Sequence, residues 1–144
     1  MIGKASIYIL YFLISAPVWN LNFDEATKQA KDENKVILLN FAGSDWCAPC
    51  IKLTREVFDQ SEFLDYAKEN LVLVRADFPR LKKNQLSKEQ VKHNEALADK
   101  YNSQGKFPLT LLVDAEGRVI HEWDGYQSVT PAEFISQINK FLSE

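Results

Sequence analysis

Residues 36–53 read VILLNFAGSDWCAPCIKL, an apolar run that leads into a loop and a pair of cysteines. Val36 to Phe41 is apolar without alternation and has the length of a strand, which predicts a central strand buried on both faces. Ala42 to Asp45 is a short segment rich in loop-forming residues. Apolar residues at helical spacing follow, so the sequence places Cys47 and Cys50 where a buried strand gives way to a helix.

The rest of the chain predicts alternating helices and strands. Apolar runs of strand length lie at residues 36–41, 71–76, 109–113 and 118–123. Helical patterns cover residues 22–34, 47–67, 87–101 and 130–142, and the second is expected to break near residues 59–61. An early strand–helix–strand unit implies a parallel pair with a right-handed crossover, and a closing hairpin implies an antiparallel edge. We therefore predict a mixed sheet with helices on both faces.

Three of the predicted helices begin with the pattern of a capping box, in which two residues satisfy each other's backbone N–H groups. The pairs are Asn22 with Glu25, Ser87 with Gln90, and Thr130 with Glu133. The second helix instead begins at the dithiol. A polar loop at residues 77–86 precedes the third helix, and the sequence leaves its role open.

Size and charge limit the range of functions. The chain has 144 residues, which fits one domain, and 46% of them are hydrophobic, enough to bury a core without cross-links. The net charge is −3, and basic residues are scattered among acidic ones. This pattern lacks the concentrated basic face of a nucleic-acid-binding protein. We expect a monomer with no nucleic-acid partner.

The first residues differ from the remainder. In residues 1–16 Lys4 is the only charge, and an apolar run follows it, which is typical of a secretory signal. The run is shorter than the roughly 20 residues that a membrane span needs. We expect a signal peptide at 1–16, a domain at 17–144 and export from the cytoplasm. Pro17 disfavours cleavage directly before it, so cleavage after Ser15, an uncleaved segment or a buried N-terminal element all stay open.

The two cysteines are the only ones in the chain and stand three positions apart. A bridge between them closes a loop too small to stabilise the fold much, so reactivity explains the pair better. Backbone N–H groups and the helix dipole at a helix start favour a thiolate, and lowering a thiol pKa from about 8.5 to about 7 needs about 2 kcal/mol. We predict that Cys47 attacks a substrate disulfide and that Cys50, more buried, resolves the mixed disulfide. Pro49 is tolerated in the first helical turn.

Paired cysteines can also bind zinc, but a closed zinc site needs four ligands. His93 and His121 are the remaining soft ligands, and both are expected to be surface residues rather than ligands. We therefore expect neither a metal nor an organic cofactor.

The segment FAGSDWCAPCIKL, residues 41–53, resembles the active-site segment of the thioredoxin superfamily. It is most similar to exported thioredoxin-like proteins related to the C-terminal domain of the bacterial thiol–disulfide interchange protein. The resemblance runs from Trp19 to Leu142. It implies a thioredoxin fold, with a mixed four- to five-stranded central sheet flanked by helices on both faces. It also implies disulfide-bearing client proteins and a membrane thiol carrier as electron donor.

The resemblance further implies a substrate-binding surface around the dithiol. Phe107 and Pro108 would form the loop whose cis proline faces the cysteines and whose backbone pairs with an extended substrate. From the sequence alone, Pro108 could equally be a proline at a strand start. Trp46 could dock substrate or simply pack beside the site, and we favour docking. The expected substrate-binding residues are Trp46, Ala48, Pro49, Phe107 and Pro108.

Two positions depart from the family pattern. Many thioredoxins have a buried Asp where this chain has Asn40, which cannot take a proton from the second cysteine. Thr often follows the cis proline, whereas Leu109 follows here and Thr110 comes later. The residues between the cysteines carry no cation to stabilise a thiolate strongly, which favours a reductant over an oxidant. The alternatives are a disulfide-donating oxidase and a binding or assembly module with an incidental dithiol.

Overall fold

A computed structural model describes residues 18–144, and the predicted signal peptide lies outside the described residues. The strands are β1 (Val36–Ala42), β2 (Leu71–Asp77), β3 (Leu109–Val113) and β4 (Val119–Asp124). The helices are α1 (Phe23–Glu33), α2 (Ala48–Leu53), α3 (Ser61–Asn70), α4 (Lys88–Tyr101) and α5 (Pro131–Leu142). The predicted order of elements is confirmed. Within the described range, none of the helices has the length and apolar character needed to cross a membrane.

The sheet has four strands in the order β2-β1-β3-β4. β1 pairs with β2 in parallel and with β3 in antiparallel fashion, and β3 and β4 form the antiparallel hairpin. The predicted mixed sheet is therefore confirmed. Asn20 adds a single parallel bridge to Val74 at the outer edge of β2, with its N–H donating to the Leu73 carbonyl at 2.7 Å.

The core lies on both sides of β1, as its unbroken apolar sequence predicts. Ile37, Leu39 and Phe41 face the side covered by α1 and α4. Leu38 faces the opposite side, where Phe58 packs among aromatic side chains of α3 and α5. Burial on both faces makes β1 a rigid support for the loop that follows it.

The helix after the dithiol changes its pitch before it ends. α2 continues as one π-helical turn from Thr54 to Phe58, and the Asp59 N–H donates to the Thr54 carbonyl at 2.8 Å. The chain then breaks at Gln60 and restarts as α3, so the predicted interruption is confirmed. The π-turn keeps Val57 and Phe58 buried against the core.

The predicted capping boxes are only partly present. Thr130 and Glu133 form the complete reciprocal pair. The Ser87 hydroxyl accepts from the Gln90 N–H at 3.1 Å, but the Gln90 side chain donates to the Leu21 carbonyl at 2.8 Å instead of returning a bond. The prediction of a capping box at Ser87 is thus wrong, because the Gln90 side chain makes a tertiary hydrogen bond instead of the reciprocal one.

The surface placement predicted for the two histidines is also wrong, because both are half-buried. The Nε2 of His93 accepts a hydrogen bond from the Phe23 N–H at 3.0 Å, and so joins α4 to the first turn of α1. The ring of His121 stacks on Phe141 with centroids 3.7 Å apart. Burial lowers the pKa of His121.

Candidate active site

Cys47 and Cys50 form a disulfide at the start of α2. Cys47 is the N-cap, with extended backbone, and its Sγ accepts from the Cys50 N–H at 3.3 Å. The predicted position at a helix start is therefore observed. The two residues are buried almost equally, with 4% and 3% of their surface exposed, so the expected contrast in burial is absent in the disulfide form. Ala48 and Pro49, between them, are exposed.

Trp46 lies beside the disulfide in an aromatic corner. Its indole Nε1 donates to the Phe78 carbonyl at 2.7 Å, and its ring meets Phe107 edge-on with centroids 5.4 Å apart. The guanidinium of Arg80 lies 3.6 Å from the ring centroid. Gly43 leaves room for the indole, since a Cβ there would overlap it. The orientation of Trp46 is therefore set from several sides.

The loop opposite the dithiol contains the Phe107–Pro108 peptide bond, which is cis as the resemblance implies. Phe107 and Trp46 pack against the buried cluster formed by Ala42, Cys47 and Cys50. Buried Asn102 shapes the loop: its side chain donates to the Lys106 carbonyl at 2.8 Å and accepts from the Lys106 N–H at 2.9 Å. The expected residues Trp46 and Phe107 thus lie together beside the dithiol.

A polar group lies behind the cysteines, on the sheet. Asn40 is 1% exposed, and its side-chain amide donates to the Thr110 hydroxyl at 3.1 Å. Arg75, from β2, donates through Nε to Asn40 Oδ1 at 3.4 Å and through Nη2 to the Thr54 hydroxyl at 3.5 Å. Burial lowers the pKa of Arg75, and the charges of nearby carboxylates oppose that shift. A cavity of about 210 Å³ that opens to solvent lies beside this group, and its walls include Cys50 and Arg75.

Residues 77–86, here called the insert, are joined to the loop before the dithiol. Asp45 accepts from the backbone N–H groups of Arg80 and Leu81, each at 2.9 Å, and from the Asn84 side chain at 3.1 Å. These bonds, that from Arg80 foremost, lower the pKa of the Asp45 carboxyl. Asp77 accepts from the N–H and hydroxyl of Ser44 at 2.9 and 2.5 Å. The insert therefore forms part of the site.

Sequence reasoning missed the two arginines of this region. Arg75 has a local signal, because it is the one charge within the apolar run of residues 71–76. The sequence marks Arg80 only by its position in the insert, and it does not show that the insert folds back over Trp46. Its role depends on a contact 34 positions away in the chain, between residues 46 and 80.

A helix-capping dithiol opposite a cis-proline loop, on a mixed sheet with helices on both faces, defines a thioredoxin-fold thiol–disulfide oxidoreductase. Comparison with known proteins agrees, because the thioredoxin-like domain family matches residues 23–142. The chain belongs to this family.

Individual relatives fit the same assignment. The chain is 35% identical over 121 residues to the disulfide bond reductase DsbH of Chlamydia pneumoniae, covering 84% of this chain and 70% of that protein. A solved DsbH oxidoreductase superposes with a TM-score of 0.80 at 33% identity, covering 90% of this chain and 86% of the other. The oxidised C-terminal domain of Neisseria meningitidis DsbD gives a TM-score of 0.53 at 20% identity, covering 81% and 89%, and shows the shared fold.

Proposed function

We propose that the protein is a reductant of disulfides in exported client proteins, with Cys47 as nucleophile and Cys50 as resolving thiol. The observation that carries the proposal is the N-cap position of Cys47, whose sulfur accepts the Cys50 N–H. A hydrogen bond to sulfur and the positive end of a helix both favour the thiolate over the thiol. In this proposal Trp46, Ala48, Pro49, Phe107 and Pro108 contact the client.

The exchange proceeds in two balanced steps. The Cys47 thiolate attacks one sulfur of the client disulfide, a Cys47–client disulfide forms, and the other client sulfur leaves as a thiolate. Cys50 then loses its proton and attacks Cys47 Sγ, which releases the second client thiolate and leaves the Cys47–Cys50 disulfide. The client gains two electrons, and the protein loses two. An external dithiol must then reduce the protein for another cycle.

The second step needs an acceptor for the Cys50 proton. Asn40 cannot serve, since a carboxamide does not take up a proton at neutral pH. The cavity beside Cys50 has space for solvent, and the Arg75 cation on its wall favours the Cys50 thiolate. Water therefore receives the proton in this proposal, assisted by a positive charge rather than by a carboxylate.

Two observations support the reducing direction. Ala48 and Pro49 place no cation between the cysteines, so the reduced form lacks the strong thiolate stabilisation of an oxidant. The relative at 35% identity is named a disulfide bond reductase.

The reduction potential tests the direction. The protein would be equilibrated with glutathione buffers, and its free thiols would be trapped and counted. We expect a potential near or below about −230 mV, in the range of reducing thioredoxin-like proteins. A potential above about −150 mV would instead make the protein a disulfide donor.

Single cysteine variants test the roles. With a disulfide-bridged peptide as substrate, Cys50→Ser should accumulate a peptide-linked species visible by mass spectrometry, whereas Cys47→Ser should form none. Equal trapping by both variants would contradict the assigned roles. A full turnover rate in Cys47→Ser would contradict the role of Cys47 as nucleophile. Intact biological activity of Cys47→Ser in the cell, without turnover of the peptide, would contradict the enzymatic proposal and favour a binding module.

We further propose that residues 1–16 direct export, that residues 17–144 act as a monomer in the periplasm, and that a membrane thiol carrier supplies electrons. The basic start and short apolar run of the leader support export. Cell fractionation followed by N-terminal sequencing tests this. Recovery of the protein in the cytoplasm with its first residues intact would contradict it.

A further inference from the structure

We propose that Arg80 recognises a carboxylate next to the reactive cysteine of the client, so that this protein prefers disulfides in acidic segments. This inference rests on the proposed function and adds the chemical class of its substrate. It concerns the insert, which the exchange chemistry itself does not use.

An open groove lies between the insert and the cis-proline loop. Its walls are Trp46, Phe78, Pro79, Arg80, Gly105 and Phe107, and its volume is about 640 Å³. Two of its wall residues, Trp46 and Phe107, also pack against the buried cluster of Ala42, Cys47 and Cys50, so the groove lies next to the dithiol. A client chain joined to Cys47 would therefore have its neighbouring residues beside these aromatic rings and Arg80.

Arg80 presents a cation whose position is already fixed. Its guanidinium lies 3.6 Å from the centroid of the Trp46 ring, within cation–π range. A stacked guanidinium keeps its N–H donors in its own plane, away from the ring, where they can bind a carboxylate. Asp45 holds the Arg80 backbone, and the Phe78 carbonyl holds the Trp46 indole. A receptor fixed before binding loses less conformational entropy when its ligand arrives.

Among the described residues, no acidic side chain forms an ion pair with Arg80. The Asp45 carboxylate is nearby, but it accepts three hydrogen bonds from N–H donors of the insert. Lys106, the residue before Phe107, is already paired with Glu122 and Asp124 at 3.4 and 3.0 Å.

The remaining charges of the insert after Asp77 have the same sign as Arg80. Residues 78–86 contain Arg80, Lys82 and Lys83 and no acidic residue. All three basic residues are exposed. A basic rim of this kind attracts acidic segments and repels basic ones, and salt screens both effects. The occupant that fits the groove is therefore an extended client segment with Asp or Glu beside its cysteine.

The test uses three peptides that share one sequence and one internal disulfide and carry Glu, Gln or Lys beside the first cysteine. The quantity measured is the ratio of kcat/KM for the Glu peptide to that for the Gln peptide, which cancels any general change in reactivity. We expect a ratio of about five for the unaltered protein at low salt, in the range of a single exposed ion pair. The Lys peptide should be slower than the Gln peptide.

The variants identify the residue responsible. Arg80→Gln should bring the ratio close to one, and Arg80→Lys should restore part of it. Lys92→Gln, an exposed charge on α4, should keep the original ratio. Addition of about 0.5 M NaCl should lower the ratio in the unaltered protein.

The outcomes separate this inference from the function on which it rests. Failure of the unaltered protein to reduce uncharged hydroxyethyl disulfide and all three peptides would overturn the proposed function. Reduction of all of them at similar rates would leave that function standing and overturn the role of Arg80. A preference for Glu that persists in Arg80→Gln would overturn that role too.

Discussion

Arg75 and Asn40 are register partners on neighbouring parallel strands, and the Arg75 Nε donates to Asn40 Oδ1 at 3.4 Å. The pair places a cation and a neutral amide behind Cys50, where many thioredoxins have a buried carboxyl group. Both Arg75 and Cys50 line the same cavity. In the exchange proposed above, charge stabilisation of the Cys50 thiolate would take the place of proton uptake by a neighbouring carboxylate.

Asn40→Asp should restore a proton acceptor behind Cys50. We expect the mixed disulfide to resolve about tenfold faster once the new carboxyl is ionised, because the carboxylate can act as a general base. The rate should rise with pH through the pKa of that carboxyl, a step absent from the unaltered protein. Rapid-quench measurement of mixed-disulfide decay checks this, with Asn40→Ser as a neutral control. Identical pH profiles for Asn40→Asp and Asn40→Ser would count against the argument.

Arg75→Met should destabilise the fold. The change keeps much of the side-chain length but removes the bonds to Asn40 and Thr54 and the stacking on Trp19, whose ring centroid lies 4.0 Å away. We expect a loss of about 1–3 kcal/mol in the free energy of unfolding, measured in urea. Arg55→Met, which removes an exposed arginine at the same cavity, should change it by less than about 0.5 kcal/mol. Equal losses in both variants would contradict a specific role for Arg75.

Acid should release the insert from the loop before the dithiol. Hydrogen bonds lower the pKa of Asp45 from its ordinary value of 3.8. The stabilisation that the ionised carboxylate gives to the folded state is therefore complete above pH 3.8 and is lost as the pH falls through the lower pKa of the folded protein. The amide resonances of Arg80 and Leu81 should therefore shift together below pH 3.8 in an NMR titration. In Asp45→Asn the two shifts should disappear. A shift that remains in this variant would assign the transition to another group.

Gly43→Ala should displace Trp46. The new methyl group would overlap the indole, which must move away from the Phe78 carbonyl. We expect a loss of about 1–3 kcal/mol in stability and a shifted indole N–H resonance for Trp46. Gly125→Ala is the matched control: its φ of 80° disfavours a side chain, but no atom lies within 4 Å of the new Cβ. An unchanged indole resonance in Gly43→Ala would show that the ring is not held as described.

Local patterns predicted much of this fold and the position of its dithiol. The apolar run of β1 and the Thr130 cap depend on neighbours in the chain, and both are present as predicted. The Gln90 side chain and His93 were misjudged because each bonds to the start of α1, about 70 positions away in the chain. A sequence pattern does not reveal such distant partners, and it does not distinguish a half-buried polar residue from an exposed one.

The candidate site divides in the same way. Cys47 and Cys50 follow from spacing at a strand-to-helix junction, whereas the cis bond before Pro108 came only from family resemblance. Neither local spacing nor family resemblance predicted the contact of Arg80 with Trp46. It arises because Asp45 holds the insert against the active-site loop, and that geometry exists only in the folded chain.

The bridge at Asn20 bears on where this domain can safely be shortened. The family match starts at residue 23. The backbone of Asn20, which lies before it, forms hydrogen bonds with the backbone of Leu73 and Arg75 at the sheet edge, and Trp19 stacks on the Arg75 guanidinium. A chain trimmed to Phe23 would leave the outer edge of β2 unpaired and open to association with other copies. It would also remove the indole that lies on the Arg75 guanidinium, so recombinant protein cut at the family boundary would associate more readily and would hold this cation in a different environment from the longer chain.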